Sequence, residues 1–380
     1  MENPNIVIIG AGLAAITLVR ELRKRDAETD ITLITADAGH FYSKPMLSNG
    51  LAAGKTAASL VMTERDALAS QLKVTILHGT QVTGIDARAH EVITPRGAIG
   101  YGRLILALGA QPIRLPLKGD GAGDVLSINH LEDYGRYRQQ LSGKRRVALL
   151  GAGLIGCEFA NDLRVGGFDV DVFDIAPQPL GRLLPADAAA VYLQGLEAAG
   201  VRFHFGASVQ QVDRIGTAYR LTDNTGAVTE ADLVVSAVGL RPETAMAAAA
   251  GLSVNRGIVT DASLRTSDGD IYALGDCAEV VGQVLPFVMP IMHQAKALSV
   301  TLTGTPTAVV YPIMPVVVKT PACPAVVCPP APGVTGQWQV VITPGNAEAL
   351  YLTDAGQLAG FALVGSEAAK GRQGLVARMG

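Results

Sequence analysis

The stretch Ile6-Val7-Ile8-Ile9-Gly10-Ala11-Gly12-Leu13-Ala14-Ala15 runs from an unbroken apolar segment straight into a glycine-rich turn. Four apolar residues without polar alternation fit a strand buried on both faces of a parallel sheet. Leu18, Val19 and Leu22 continue at helical spacing through the charged residues 20–26, and Ile31-Thr32-Leu33-Ile34-Thr35 reads as the next strand. Strand, turn, helix, strand is one βαβ unit. The grammar repeats about 140 residues later, as a duplicated mononucleotide-binding unit and not a solenoid period. There Arg146-Val147-Ala148-Leu149-Leu150 enters Gly151-Ala152-Gly153-Leu154-Ile155-Gly156, a helix follows through Phe159, Ala160 and Leu163, and Asp169-Val170-Asp171-Val172-Phe173-Asp174 is the next strand.

A dinucleotide needs a place where its pyrophosphate meets backbone N–H groups with no Cβ in the way, and a Gly-rich turn at a helix N-terminus provides it. Gly10 and Gly12 supply the turn and the close approach in the first copy, and Ala15 stands where a third glycine would let helix and strand touch. Gly151, Gly153 and Gly156 complete the pattern in the second. Gly-rich strand ends also occur for purely structural reasons, but each of these lies between an apolar strand and a helix, as the motif requires. An acid at the end of the following strand reads the ribose. Asp174 lies 18 residues after Gly156 with no Arg directly behind it, which favours NADH over NADPH. In the first copy the acid comes late, so Asp37 is either a ribose ligand or a turn-capping Asp.

Composition narrows the rest. The 380 residues are enough for two or three domains, and 49% hydrophobic against 17% charged residues excludes general disorder. A net charge of -3 removes the electrostatic case for nucleic acid. No apolar run reaches the roughly 18 residues of a membrane span. Four cysteines are too few for a disulfide framework, and the six scattered histidines build no zinc site, so no metal is expected. The N-terminus lacks the positive region of a signal peptide, and a cytoplasmic protein is expected. Further strands end at Gly109 and Gly239, another presents Asp276, and beyond Tyr311 a Pro- and Val-rich texture predicts a small C-terminal domain. The fold class is α/β, with two Rossmann-like dinucleotide-binding domains and a small α+β C-terminal domain. Boundaries are placed at 1–112 with 240–310 for the first domain, 113–239 for the second and 311–380 for the third.

Gly10-Ala11-Gly12, Leu106-Ala107-Leu108-Gly109-Ala110, residues 151–156, Val238-Gly239-Leu240-Arg241-Pro242 and Thr266-Ser267 through Gly275-Asp276 together resemble the pyridine-nucleotide-dependent FAD oxidoreductases, whose fold is glutathione-reductase-like. The disulfide reductases of that family carry a cysteine pair early in the chain, whereas here the first cysteine is Cys157. Tyr42-Ser43-Lys44-Pro45-Met46-Leu47-Ser48 is similar instead to the ferredoxin and rubredoxin reductases. Gly156-Cys157-Glu158-Phe159-Ala160 and Val318-Lys319-Thr320-Pro321-Ala322-Cys323-Pro324 look closest to bacterial rubredoxin reductases, with the flavorubredoxin reductases next.

The resemblance implies FAD at the first turn and NADH, the electron donor, at the second. It places Lys44 and Lys319 near the isoalloxazine, Glu158 near the nicotinamide–flavin contact, and Asp276 as an acceptor for the ribityl or phosphate end of FAD. Lys44, Glu158 and Lys319 are the catalytic candidates. Gly10, Gly12, Ala15, Asp37, Lys44, Gly109, Asp276 and Lys319 are assigned to FAD, and Gly151, Gly153, Gly156 and Asp174 to NAD. For Lys319 a surface lysine at a strand end is the alternative, and for Glu158 a carboxylate that merely favours a helix N-terminus. The implied activity is NADH-dependent reduction of rubredoxin, a small acidic iron protein, one electron at a time. A ferredoxin reductase of an oxygenase system and a flavorubredoxin reductase are the alternatives. An NADH oxidase lacks its cysteine in the Lys44 segment, and a non-enzymatic redox-sensing protein of the same fold is a further reading. An acidic partner calls for a basic docking face, for which Arg20, Arg23, Lys24 and Arg25 are available unless they form only a solvated helix face.

Overall fold

The computed structural model describes residues 5–379. The chain forms two compact units, each assembled from three segments.

The first unit comprises residues 5–44, 61–111 and 240–312. Its centre is a five-stranded sheet in the order Ile271–Ala273, Arg103–Leu106, Ile6–Ile9, Ile31–Ile34, Thr75–Leu77, parallel throughout. Ile6–Ile9 is the middle strand and every residue of it is buried, which is why its sequence shows no polar alternation. The helix Leu13–Arg23 covers one face and packs on the long helix Val288–Leu302. A small antiparallel sheet of Gly84–Asp86, Glu91–Thr94 and Gly97–Gly100 is appended.

The second unit comprises residues 45–60, 112–239 and 313–379. A parallel sheet runs in the order Val201–Phe205, Asp169–Asp174, Arg146–Leu150, Leu233–Ser236. An antiparallel sheet of Val209–Ile215, Ala218–Asp223 and Val228–Ala231 adjoins it. The C-terminal residues form a five-stranded antiparallel sheet in the order Val316–Val318, Ala325–Cys328, Leu358–Val364, Asn346–Thr353, Gly336–Thr343. Helix Ala186–Ala198 packs both on Val201–Phe205 and on three strands of this C-terminal sheet. Val326, Phe361 and Leu363 make that sheet's core with Leu375 of the last helix, Arg372–Met379. Among the described residues no helix is long and apolar enough to cross a membrane.

Candidate functional site

In the first unit the glycine turn is built for backbone approach. Gly10 has φ of +113°, and a Cβ there would lie 2.3 Å from the carbonyl oxygen of Ala107 on the neighbouring strand end. Gly12 is the N-cap of helix Leu13–Arg23, with no side-chain cap and no acidic residue in the first turn. Nothing lies within 4 Å of where its Cβ would be. A helix N-terminus with free donors and open space at its cap fits a pyrophosphate. Ala15 is fully buried behind the turn, and Gly109, at φ +70°, faces open space.

Asp276 enters the same unit from the strand Ile271–Ala273, through Gly275, whose φ is +81°. Gly275 N donates to Gln294 Oε1 at 2.7 Å, and Gln294 Nε2 donates to Tyr311 Oη at 2.9 Å, so the long helix fixes this turn. Burial pushes the Asp276 carboxyl above the usual carboxylate range, and the positive charge of Lys44 opposes that rise. Lys44 and Asp276 thus act on one another electrostatically. Asp37 is committed differently. Its Oδ1 accepts from Thr35 Oγ1 at 2.9 Å and from Gly39 N at 2.8 Å, so it caps its own turn. Its Oδ2 accepts no hydrogen bond among the described residues.

The second unit repeats the cradle more tightly. Gly151 has φ of +107°, and its Cβ would lie 2.6 Å from Ala237 O; at Gly156 a Cβ would meet Gly151 O at 1.9 Å. Gly153, the uncapped N-cap of helix Leu154–Val165, again has nothing within 4 Å of its Cβ position. Asp174 stands at the end of its strand and accepts from Ala152 N at 2.5 Å and Ala176 N at 2.8 Å. The carboxylate therefore fastens the glycine turn to the strand end and borders the cradle. Both turns fit a dinucleotide.

Below that cradle, in the same helix, lies a charged cluster. Glu158 is fully buried, yet it has three partners. Its Oε2 accepts from Ser48 Oγ at 2.5 Å and lies 3.0 Å from Lys319 Nζ, and its Oε1 accepts from Lys319 N at 2.9 Å. Lys319 Nζ also donates to the carbonyl of Pro45, and Asn49 Nδ2 donates to Lys319 O at 2.9 Å. A buried carboxylate is tolerated only with such pairing. The side chain of Lys319 stays 35% exposed while its partner is sealed, so a cation is held at a fixed place on an accessible face. Glu158 is more than a helix-end charge.

Sequence reasoning missed Ser48 and Asn49, and it missed Asn161 and Asp162. Asp162 Oδ2 and Oδ1 accept from Leu51 N and Ala52 N, each at 2.9 Å, and Asn161 Oδ1 accepts from Ala322 N at 3.0 Å. A signal existed, since Glu158, Asn161 and Asp162 share one helix face at the i, i+3, i+4 spacing. The partners of Asn161 and Asp162 are backbone groups of distant segments, which no motif announces.

The basic residues at the end of the first helix each have a partner within the first unit. Arg23 donates to Leu72 O and Lys73 O at 2.8 Å, Lys24 pairs with Glu21, Arg25 donates to Ser299 Oγ at 3.2 Å, and Arg20 lies over the Phe41 ring. Arg20, Lys24 and Arg25 stay exposed beside these partners, so the helix end still presents a basic face. All four cysteines are free and buried. Burial pushes the Cys323 thiol up to about 11 and raises that of Cys328, which suits packing and not redox exchange.

The family model for pyridine nucleotide-disulphide oxidoreductase matches residues 4–298. The chain belongs to that family. Residues 308–379 match a second model, the rubredoxin binding C-terminal domain. The chain is 49% identical over 361 residues to a rubredoxin-NAD(+) reductase of Alcanivorax borkumensis, covering 95% of this chain and 94% of that one. It is 41% identical to the nitric oxide reductase FlRd-NAD(+) reductase of Aeromonas hydrophila, with 95% and 93% covered. Among solved structures it is similar to the ferredoxin reductase for the CYP199A2 system of Rhodopseudomonas palustris. That match has a TM-score of 0.88 and 27% identity, and covers 97% of this chain and 93% of that one. The first match spans both glycine turns, and the second spans the C-terminal sheet.

Proposed function

We propose that this chain is an NADH-dependent flavoprotein reductase that passes electrons to rubredoxin one at a time. The observation that carries the reading is the union of an oxidoreductase body over residues 4–298 with a rubredoxin-binding domain over 308–379 in one chain. FAD takes the cradle of Gly10, Gly12 and Ala15, with Gly109, Asp37 Oδ2, Asp276 and Lys44 around it. NADH takes that of Gly151, Gly153 and Gly156, with Asp174 on the ribose. In domain terms, 1–112 with 240–310 hold FAD, 113–239 hold NADH, and 311–380 form the C-terminal domain. The flavin, when bound, supplies the chemistry that takes an electron pair from NADH and releases it singly.

The protein's part is position and field. The helix dipole and open N–H groups at each glycine turn hold a pyrophosphate. Lys319 presents a cation fixed at both ends, by Glu158 and Pro45 O at Nζ and by Glu158 at its own N–H. A preorganised cation of this kind stabilises negative charge developing on a neighbouring group without reorganising. Lys44 lies in the field of Asp276 in the first unit. With all four cysteines free and buried, no thiol relay intervenes, and a reducing, cytoplasmic setting suits them.

Rates of reoxidation of the NADH-reduced protein by rubredoxin, by a [2Fe–2S] ferredoxin and by oxygen test the reading. Fast reoxidation by rubredoxin and slow reoxidation by air is the expected pattern. Preference for ferredoxin, the class named for the Rhodopseudomonas structure, or for a flavorubredoxin, in keeping with the Aeromonas relative, would transfer the assignment to that acceptor. Lys319→Ala should slow reduction by NADH by about tenfold or more, because a preorganised electrostatic group is lost.

A further inference from the structure

The helix Leu154–Val165 does two jobs at once. Its N-terminus is the nucleotide cradle, and one buried face grips two separate stretches of chain. Glu158 binds Ser48 and Lys319, Asn161 binds Ala322 N, and Asp162 binds Leu51 N and Ala52 N. Asp162 is only 3% exposed. A carboxylate that receives two successive backbone N–H groups acts as a built-in anion in a backbone nest, and it fixes the direction of that backbone. Burial pushes its carboxyl above the usual range, and outweighs the Ala52 and Leu51 amides and the charges of Arg138 and then Lys319, all of which pull it down.

The two gripped stretches also hold each other, through Asn49 Nδ2 on Lys319 O at 2.9 Å. Pro45 O, one of the acceptors of Lys319 Nζ, belongs to the stretch that Asp162 anchors. Released from Asp162, residues 45–52 would keep only the Ser48 contact to the helix side chains, and the placement of Pro45 O would rest on Ser48 and Asn49.

We propose that Asp162, assisted by Asn161, is a positioning residue that sets the Lys319 ammonium at a fixed register from the nucleotide cradle through the backbone of residues 45–52 and 319–322. The inference rests on the reading that Lys319 serves electron transfer from NADH. A shift of about 1 Å in such a group costs up to a hundredfold in rate, because the field must be aimed before the reaction begins.

The test uses the flavin-loaded full chain carrying Asp162→Asn, Asn161→Leu, Asn161→Asp or Lys319→Ala. Amide hydrogen exchange, anaerobic reduction by NADH and the flavin midpoint potential are read in parallel. In Asp162→Asn the new amide group opposes one of the two N–H donors, so exchange at Leu51 and Ala52 should quicken by about tenfold. The limiting rate of reduction should fall by about tenfold while the NADH half-saturation stays within about twofold, since the cradle itself is untouched. The midpoint potential should move in the same direction as in Lys319→Ala. Asn161→Leu should slow reduction by about threefold, and Asn161→Asp, which keeps an acceptor for Ala322 N, should restore most of it. Should Asp162→Asn not fold, the Asn161 pair carries the test alone. Unchanged exchange, or an unchanged rate beside a slow Lys319→Ala, overturns this inference and leaves the parent reading standing. Lys319→Ala at the wild-type rate overturns the parent reading, and a slow Asp162→Asn beside it overturns ours too, because its effect would not run through Lys319.

Discussion

The two glycine turns begin from the same sequence grammar and end with different constraints. At the first, the third small position is Ala15, fully buried and accommodated. At the second it is Gly156, where a Cβ would lie 1.9 Å from Gly151 O. The acids differ in the same sense. Asp174 ties the glycine turn to its strand end, whereas Asp37 ties only its own turn. Both cradles lean on a neighbouring strand end, the first at Ala107 and the second at Ala237; the second adds Gly156 against Gly151 O and the Asp174 clasp, and the first adds only the turn at Gly275, which meets Ala14. A tightly locked turn suits a ligand that must enter and leave a preformed site, because no ordering is left to do on binding.

Exchanging the third small residue gives the largest contrast. Gly156→Ala should lower kcat/KM for NADH by about a hundredfold or more, since a backbone carbonyl cannot yield cheaply to a new methyl. Ala15→Gly should leave flavin retention intact and cost about 1 kcal/mol of stability through helix propensity alone. NADH titration of the first variant and thermal unfolding of the second measure both arms; equal tolerance at the two turns would erase the distinction.

The acids come next. Asp174→Asn loses one of two charge-assisted acceptors, and NADH affinity should weaken by about tenfold. Asp37→Asn keeps the single oxygen that serves Thr35 and Gly39, so flavin release should quicken by less than about threefold. Fluorescence titration and timed flavin loss report on each, and a larger effect at Asp37 would reverse the ranking.

A smaller difference lies inside the strands that lead to these acids. Ile31–Ile34 carries no charge, while Asp169–Asp174 carries Asp171, paired with Arg202 at 2.6 Å and His204 at 2.9 Å. Burial pushes the Asp171 carboxyl up, but the hydrogen bonds from Arg202 and His204 outweigh it and leave it below its ordinary value. A lowered carboxyl stabilises the fold above its unfolded pKa, near 4, and that contribution disappears as pH falls through the lower folded value. Asp171→Asn should therefore be less stable than wild type at pH 6, with the gap closing below about pH 4. Urea midpoints across that range are the check, and a gap independent of pH would remove the ion pairs from the account.

The smallest effect is an expected silence. Burial pushes the Cys157 thiol, within the helix Leu154–Val165, up to about 12 and Cys323 up to about 11. At pH 8 the thiolate fraction of either is about a thousandth or less. Thiol reagents should leave both unmodified in the native protein, and rapid labelling of Cys157 would show that its helix opens.

The turns were legible because their chemistry is local. Gly10, Gly12, Gly151 and Gly153 are demanded by φ and by open space at a helix cap, both properties of a few consecutive residues. Lys319 and Glu158 were legible as a resemblance, but their 3.0 Å pairing was not. Nor was the commitment of Arg23, Arg25 and Arg20 to Leu72, Ser299 and Phe41. Arg20 and Arg25 keep their exposure while making these contacts.

By itself, the sequence determined the periodic and local things: two βαβ units, the cradles at their glycines, and the acid at the end of the second strand. Only the tertiary structure decided which backbone the helix Leu154–Val165 would hold. Asp162 finds Leu51 N and Ala52 N 111 and 110 residues away, and Asn161 finds Ala322 N 161 residues away. The physical reason is that a backbone N–H looks the same at every residue, so its choice of acceptor is made by packing and never written in the side chains that flank it.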